Sequence, residues 1–298
     1  MSVVKPGQPV IFGEVLFDSF ADGSRVLGGA PFNVAWHLQA WGCTPLLISC
    51  IGEDDPGEQV RAAMQDWGMQ TTGLQSDPLR PTGQVCVRIK NGEPDYDIVA
   101  DQAYDAIDSA HLPDPEAVSL VYHGSLALRN HTSNGALDTL LERYHPPVVL
   151  DINLRPPWWD LVAAEKMIAR ASWLKLNEYE LAELLQMSVA GQADVARLLQ
   201  KYDLSSIIIT QGEKGAYVYS KSAETFSVRP ESAGDIVDTV GAGDAFTSVC
   251  ILGLLQGWDI QQTLPRAQCF ASAIVGVRGA TVTDRTFYAE FISNWGLG

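Results

Sequence analysis

The strongest constraint on the fold is an alternation. Residues 10–12, 46–51, 119–123, 148–151, 173–176 and 207–210 are short apolar runs bounded by turn residues, and segments of helical period lie between them. Residues 33–41, 57–67, 134–144, 177–185 and 192–202 space their apolar side chains at three and four, as helices with one face on a sheet do. This βαβ rhythm predicts an α/β fold with a mostly parallel central sheet. With 298 residues, 46% hydrophobic and 19% charged, the chain can bury such a core, and it is neither a disordered segment nor a disulfide-stapled miniprotein. No internal repeat or low-complexity tract intervenes, so residues 1–298 read as one main domain.

Two stretches break the rhythm. Segments 15–27 and 82–100 alternate apolar and polar residues around turns at Ala21-Asp22-Gly23 and Asn91-Gly92. They predict a small antiparallel sheet beside the main one, suited to a lid that excludes water from a substrate; an extension of the central sheet is the alternative. The runs 215–219 and 224–228 flank a polar turn and read as a hairpin.

Lys plus Arg number 20 against 36 Asp plus Glu, and the formal charge of −16 repels nucleic acid and anionic membrane. Neither is expected as a partner. A small anion remains admissible where amides, an arginine or a metal outvote that field locally. Cys43, Cys50, Cys86, Cys250 and Cys269 show no C-x-x-C spacing and sit mostly in apolar runs, which suits buried thiols and a cytoplasmic setting. No targeting segment is visible, and no window reaches the roughly 18 apolar residues of a membrane span. His37, His111, His123, His131 and His145 have no metal-binding spacing and read as packing or surface residues.

Most of the chemistry is concentrated in Asp238-Thr239-Val240-Gly241-Ala242-Gly243-Asp244, followed by residues 245–256 at helical spacing and ended by Gly257. It reads as a glycine turn opening a buried helix. Gly241 and Gly243 let the backbone approach a ligand, and the unpaired amides of the first turn suit phosphate oxygens. Asp244 is placed to take the proton of an attacking hydroxyl, with the helix dipole keeping it ionised at neutral pH. Alternatively, Asp244 only complements the helix end and the glycines only turn. No G-x-x-x-x-G-K-[ST], H-R-D or D-F-G occurs, nor a G-x-G-x-x-G after the first strand, so P-loop, protein-kinase and dinucleotide devices are absent.

At this point the chain resembles the ribokinase-like (PfkB) family of carbohydrate kinases, whose D-T-x-G-A-G-D motif is matched at every fixed position by 238–244. Gly28-Gly29-Ala30-Pro31-Phe32-Asn33-Val34-Ala35 is similar to the family's G-G-x-x-x-N motif, closest to its fructokinase branch. The resemblance implies a three-layer α/β/α fold with a small β lid, and transfer of the γ-phosphate of MgATP to a primary hydroxyl of a small carbohydrate. It casts Asp244 as base, with Gly241 in the turn and the amides of Ala242, Gly243 and Asp244 together with the side chain of Arg155 stabilising the transferred phosphate. Asp18, Gly28, Gly29 and Asn33 would hold the sugar: the glycines offer bare backbone, and Asn33 both a donor and an acceptor. By itself Asn33 also reads as a helix N-cap, and Asp18 as a turn-flanking surface carboxylate.

Further matches follow in family order over nearly the whole chain. Asp151-Ile152-Asn153-Leu154-Arg155 resembles D-x-N-x-R, with Arg155 facing the phosphate; alone, Arg155 equally suits a surface ion pair. Asn177-Glu178-Tyr179-Glu180 resembles N-x-x-E, in which Asn177 and Glu180 border the nucleotide and Glu180 holds Mg²⁺ through water; alone it is a helix start. Thr210, Gly212 and Gly215 lie in a T-x-G-x-x-G segment that borders the nucleotide in the family and alone is a hairpin turn. Gln268 stands on the adenine side, and Asp238 with the Arg278-Gly279-Ala280 loop resembles a monovalent-cation site, usually potassium.

One departure bears on the acceptor. Tyr96, Ile98 and Ala100 stand where fructokinase-like relatives carry F-x-F-x-R, so a lid arginine is missing. The acceptor stays open among fructose, 2-keto-3-deoxygluconate, another ketose and a nucleoside. An acid would need Arg25, Arg88 or Lys90 in the pocket. A non-catalytic sugar sensor of the same fold is the reading from another class. An exposed lid edge predicts a homodimer.

Overall fold

The structure, a computed structural model, describes residues 4–90, 93–230 and 236–297. The chain opens with β1 (Gln8–Phe12), leaves the main sheet for β2 (Leu16–Phe20) and β3 (Arg25–Gly28), and returns through α1 (Ala30–Ala40) to β4 (Leu46–Gly52). After α2 (Asp55–Asp66) and β5 (Leu74–Asp77), a second excursion forms β6 (Gly83–Lys90) and β7 (Glu93–Ile98). Strand and helix then alternate through β8 (Val118–His123), α3 (His131–Tyr144), β9 (Val148–Asp151), α4 (Leu161–Ala169), β10 (Trp173–Asn177), α5 (Glu178–Leu185), α6 (Gln192–Lys201) and β11 (Ser206–Thr210). The hairpin β12 (Ala216–Ser220) and β13 (Thr225–Val228) leads to α7 (Ala242–Gln256), α8 (Ile260–Val275) and α9 (Arg285–Trp295). Each apolar run singled out above is a strand and each periodic segment a helix. The spacing left α4, β5, α8 and α9 unassigned; α8 carries Pro265 inside it, which argues locally against a helix.

The main sheet has nine strands in the order β13-β12-β11-β10-β9-β8-β1-β4-β5, parallel except at the terminal hairpin. Successive side chains alternate between its faces. Ile11, Leu47, Val149 and Trp173 pack in one cluster with α1, α2, α7, α8 and α9, whereas Val10, Ile48, Leu150 and Leu174 face α3 to α6. Both faces are covered, which is why the strands read as unbroken apolar runs.

The lid is a separate four-stranded sheet, β3-β2-β6-β7. Its β2 and β6 pair in parallel, correcting the antiparallel expectation. They continue from β1 and β5, which run the same way in the main sheet, so they emerge from the same end; alternation in the sequence records faces, not direction. The Asn91-Gly92 turn lies outside the described residues.

This topology places the site. In an open α/β sheet ligands bind beyond the carboxyl ends of the strands, where connections diverge to either side. Here that divergence falls at β1, between β8 and β4. Adjacent β9, β10 and β11 bring the segments after Asp151, Asn177 and Thr210 side by side.

Candidate active site

Gly241 caps α7 at φ +80°, and a Cβ there would come within 2.5 Å of Ala280 Cα, so both conformation and space demand glycine. Ala280 is fixed by buried His37, whose Nε2 donates to the Ala280 carbonyl at 3.1 Å while Nδ1 lies 2.9 Å from the Tyr288 hydroxyl. Burial pushes the imidazole down to about 3, so it stays neutral. Gly243 differs, because a Cβ there would meet only Lys175 Nζ at 3.7 Å. That is ordinary contact distance, so no clash demands glycine at 243. The Ala242 amide makes a long 3.4 Å contact to Thr239 O, which leaves those of Gly243 and Asp244 as the better anion donors.

Asp244 sits on that first turn and accepts a 2.8 Å hydrogen bond from Asn33 Nδ2. Asn33 is not an N-cap: it lies inside α1, whose cap is Gly29 at φ +107°. Gly29 admits no Cβ, which would meet Glu14 O at 2.8 Å. The missing Cβ of Gly28 would lie 3.7 Å from Asn33 Oδ1 and 4.0 Å from Asp18 Oδ2, so these groups converge on one small space. Asn33 Oδ1 is buried and unpartnered among the described residues. Burial raises Asp244 to about 6, against the Asn33 hydrogen bond and the charges of Lys175 and Arg155, and with the help of Asp151. At neutral pH the carboxylate is therefore still the main form, as expected, but burial brings its protonation up to about 6, far closer to neutrality than an exposed Asp. Asp18 is likewise raised to about 6, by burial and then Asp238 and Asp244. Glu14, buried with Oε2 unpartnered, rises to about 7, chiefly by desolvation.

Register fixes what the lid presents beside Asp18. Asp18 lies opposite Val26 and Val85, and Phe20 is joined through Val87 to Tyr96, so these share a face on which Phe20 and Tyr96 are 39% and 49% exposed. Arg25 pairs with Ser19 and Arg88 with Asp95, the alternate positions, and Arg88 lies 3.8 Å from Asp97. Neither arginine shares the Asp18 face. The Lys90 side chain falls outside the described residues.

Along the neighbouring strand ends, Asn177 caps α5, its Oδ1 accepting from the amides of Tyr179 and Glu180, each at 2.9 Å. Glu180 completes the box by accepting from Asn177 N at 2.8 Å, and its other oxygen accepts from Leu154 N at 3.0 Å. The motif is thus a helix start, and Glu180 also anchors the loop that carries Arg155. Arg155 is exposed and makes no ion pair among the described residues; its Nη1 lies 3.4 Å from Leu154 O. Gly215, at φ +96°, has a local reason to be glycine, since a Cβ would press on the Val228 backbone, whereas Gly212 has open space. Thr210 ends β11. Gln268 lies on α8, where its Nε2 donates to Ser272 Oγ at 3.3 Å. Asp238 accepts from the amides of Val240 and Gly279, both at 3.0 Å, and so ties the glycine turn to the 278–280 loop. Trp158 stacks under Arg129 and Trp159 packs beside α4, so this pair serves packing.

The sequence reading gave no role to Glu14, Thr247 or Lys175, whereas its reading of His37 as a packing residue holds. Only Lys175 gave a signal, as a charge inside the apolar run 173–176.

A carboxylate poised for a hydroxyl proton, carried on amides poised for an anion, suits an enzyme that moves an anionic group onto an alcohol. Residues 17–286 match the pfkB family of carbohydrate kinases, and the chain belongs to that family, a phosphotransferase with an alcohol group as acceptor. It is 28% identical to Probable fructokinase-6, chloroplastic, of Arabidopsis thaliana, over 91% of this chain and 78% of that one. It is 29% identical to aminoimidazole riboside kinase of Salmonella typhimurium, over 83% and 76%. Among solved structures, a fructokinase from Xylella fastidiosa with bound ATP superposes with a TM-score of 0.85 over 97% of this chain and 99% of that one, at 19% identity.

Proposed function

We propose that this kinase phosphorylates a primary hydroxyl of a neutral, hydroxyl-rich sugar of the fructose type, with ATP as donor. The observation that carries this reading is the polarity of the acceptor space: the Asp18 and Asp244 carboxylates and the unpartnered Asn33 Oδ1 all accept hydrogen bonds. A sugar hydroxyl donates to such groups, whereas a sugar carboxylate brings only acceptors and a like charge. Arg25 and Arg88 on the far face of the lid give an acid no counter-ion there.

Asp244, oriented by Asn33, takes the proton as the acceptor oxygen attacks the γ-phosphorus in line and the bond to ADP breaks. The Gly243 and Asp244 amides, with Gly241 and Ala242 shaping the turn, and Arg155 stabilise the equatorial oxygens. Asp18, Gly28 and Gly29 hold the sugar. Thr210, Gly212 and Gln268 flank the nucleotide, and Asn177 and Gly215 keep that border in shape.

Among the described residues no group of three or more His, Cys, Asp or Glu side chains could hold a metal. Glu180 would hold, through water, a Mg²⁺ that arrives with the nucleotide, and the ion would neutralise phosphate charge. Potassium is assigned to the Asp238 and 278–280 loops, which a shared hydrogen bond joins.

ADP release from MgATP in potassium buffer, against fructose, other hexoses, ribose, 2-keto-3-deoxygluconate and adenosine, tests the reading with Asp244→Ala as control. Turnover with a neutral sugar, lost in the control, is expected. Turnover confined to 2-keto-3-deoxygluconate overturns it. Exposed Phe20 and Tyr96 beside Asp18 favour a nucleoside as the second reading, since a base can lie against aromatic rings. Two copies are proposed to pair through the lid, whose outer strands are β3 and β7, and light scattering reads the mass. A cytoplasmic setting is supported by free thiols at Cys43, Cys50, Cys86 and Cys250. No helix of the described residues is long and apolar enough to cross a membrane.

A further inference from the structure

Lys175 stands in a central strand and is only 7% exposed, an expensive place for a charge. It lies opposite Asp151 in the β9–β10 register, and its Nζ donates to Asp151 Oδ2 at 2.6 Å. Thr247, one turn beyond Gly243 on α7, has its hydroxyl 2.9 Å from the same oxygen and 2.9 Å from Gly243 O. The ion pair is thereby tied to the first turn of α7. The ammonium lies directly beneath that turn, 3.7 Å from where a Gly243 Cβ would be. A pair kept only for packing is replaceable by apolar residues at little loss, so its position under the glycine turn is the informative fact.

We propose that Lys175 is a positioning residue of the transfer site, its ammonium carried by Asp151 beneath the glycine turn so that positive charge stands behind both the Asp244 carboxylate and the anion that the turn's amides accept. This rests on the kinase reading above. Asp244 is faced by Asn33 from α1, Asp18 from β2, Glu14 from the turn after β1, Tyr122 from β8, Asp151 from β9, Arg155 from the following loop and Lys175 from β10. Arg155 and Lys175 are the cations of this set, and Arg155 is exposed, so Lys175 is the one that solvent screens least. Asp151, then Glu180 and Asp244, hold the lysine protonated against its burial.

The test compares Lys175→Gln, Asp151→Asn and the double variant, each checked for a cooperative melt. Lys175→Gln should move the acidic limb of kcat/KM up by roughly one pH unit and lower turnover about 10- to 100-fold, and Asp151→Asn should move the limb down. A ¹³C carboxyl titration of the ligand-free protein, with the Asp244 signal assigned through Asp244→Asn, should show the same opposite shifts. The double variant leaves neither charge unpaired; its limb should fall between those of the single variants, with turnover still below the parent. A limb and carboxyl signal unmoved in folded Lys175→Gln overturns the proposal, as does full turnover in the double variant. If Lys175→Gln fails to fold, Asp151→Asn and the double variant decide. A parent enzyme silent on every acceptor defeats the kinase reading alone, and the carboxyl titration still decides this one.

Discussion

Gly241 and Asp18 stand on two sides of one cleft and are held by different means. Gly241 is locked by its own positive φ and by Ala280, which buried His37 holds in place. Beneath the turn, the pair Lys175–Asp151 and the Thr247 hydroxyl tie the sheet to α7. The lid is held by apolar packing instead: on the Asp18 face Leu16, Val85 and Ile98 pack against Tyr104, Leu126 and Ala127, while Phe20 and Tyr96 stay part-exposed. The floor is rich in hydrogen-bond donors and suits an anion, whereas the lid and Asn33 offer acceptors and suit hydroxyls. We read the chemistry as built into the floor and the choice of acceptor as built into the lid.

Substitutions on each side sharpen or break that division. Asp244→Asn should lower turnover by about 10³-fold with no loss of melting temperature, because it removes a carboxylate that burial disfavours; turnover near the parent's would remove Asp244 as base. Gly241→Ala should cost about 100-fold in turnover and about 2 kcal/mol in stability, through the strained φ and the clash with Ala280. Gly243→Ala should leave the denaturation midpoint nearly unchanged while turnover still falls; normal turnover there would mean that no ligand needs the bare backbone.

On the lid side, Asp18→Asn should raise the acceptor KM roughly 10- to 100-fold with kcat changed only a few-fold, the loss of one charge-assisted hydrogen bond. A fall confined to kcat would move Asp18 from the lid's role to the floor's. The pH profile probes both sides. Asp244 and Asp18 are raised to about 6 and Glu14 to about 7, so the base form prevails above these values and activity is lost as pH falls through them. The kcat/KM limb should therefore lie near 6 to 7, well above the ordinary carboxylate value of 3.8 for Asp. Asn33→Ala, which deletes the hydrogen bond that lowers Asp244, should move the limb upward. Arg88→Ala should change kcat/KM less than about two-fold, since a far-face pair is worth little; a large loss would bring a basic lid residue into the pocket.

Part of this was legible before any coordinates. Apolar runs alternating with helical periods foretold a mostly parallel sheet with helices packed on it, and the glycines at 241 and 243 foretold the turn that opens α7. Residues 28–33 and 151–155 gave the remaining pieces without their assembly. Local pattern could not say that Asn33 bonds Asp244 across 211 positions, because that contact depends on α1 packing against α7. The helix start at Asn177 was legible, but not that the second oxygen of Glu180 reaches Leu154 N, 26 positions away.

The sequence by itself determined the periods of strand and helix, the glycines that only bare backbone can satisfy, and the residue types of the chemistry, because these are properties of neighbouring residues. Tertiary structure alone decided sheet order, which face of the lid each arginine takes, how deeply each carboxylate is buried, and that a lysine lies beneath the glycine turn. Desolvation and Coulomb terms depend on distances between residues remote in the chain, and those distances exist only once the sheet has formed.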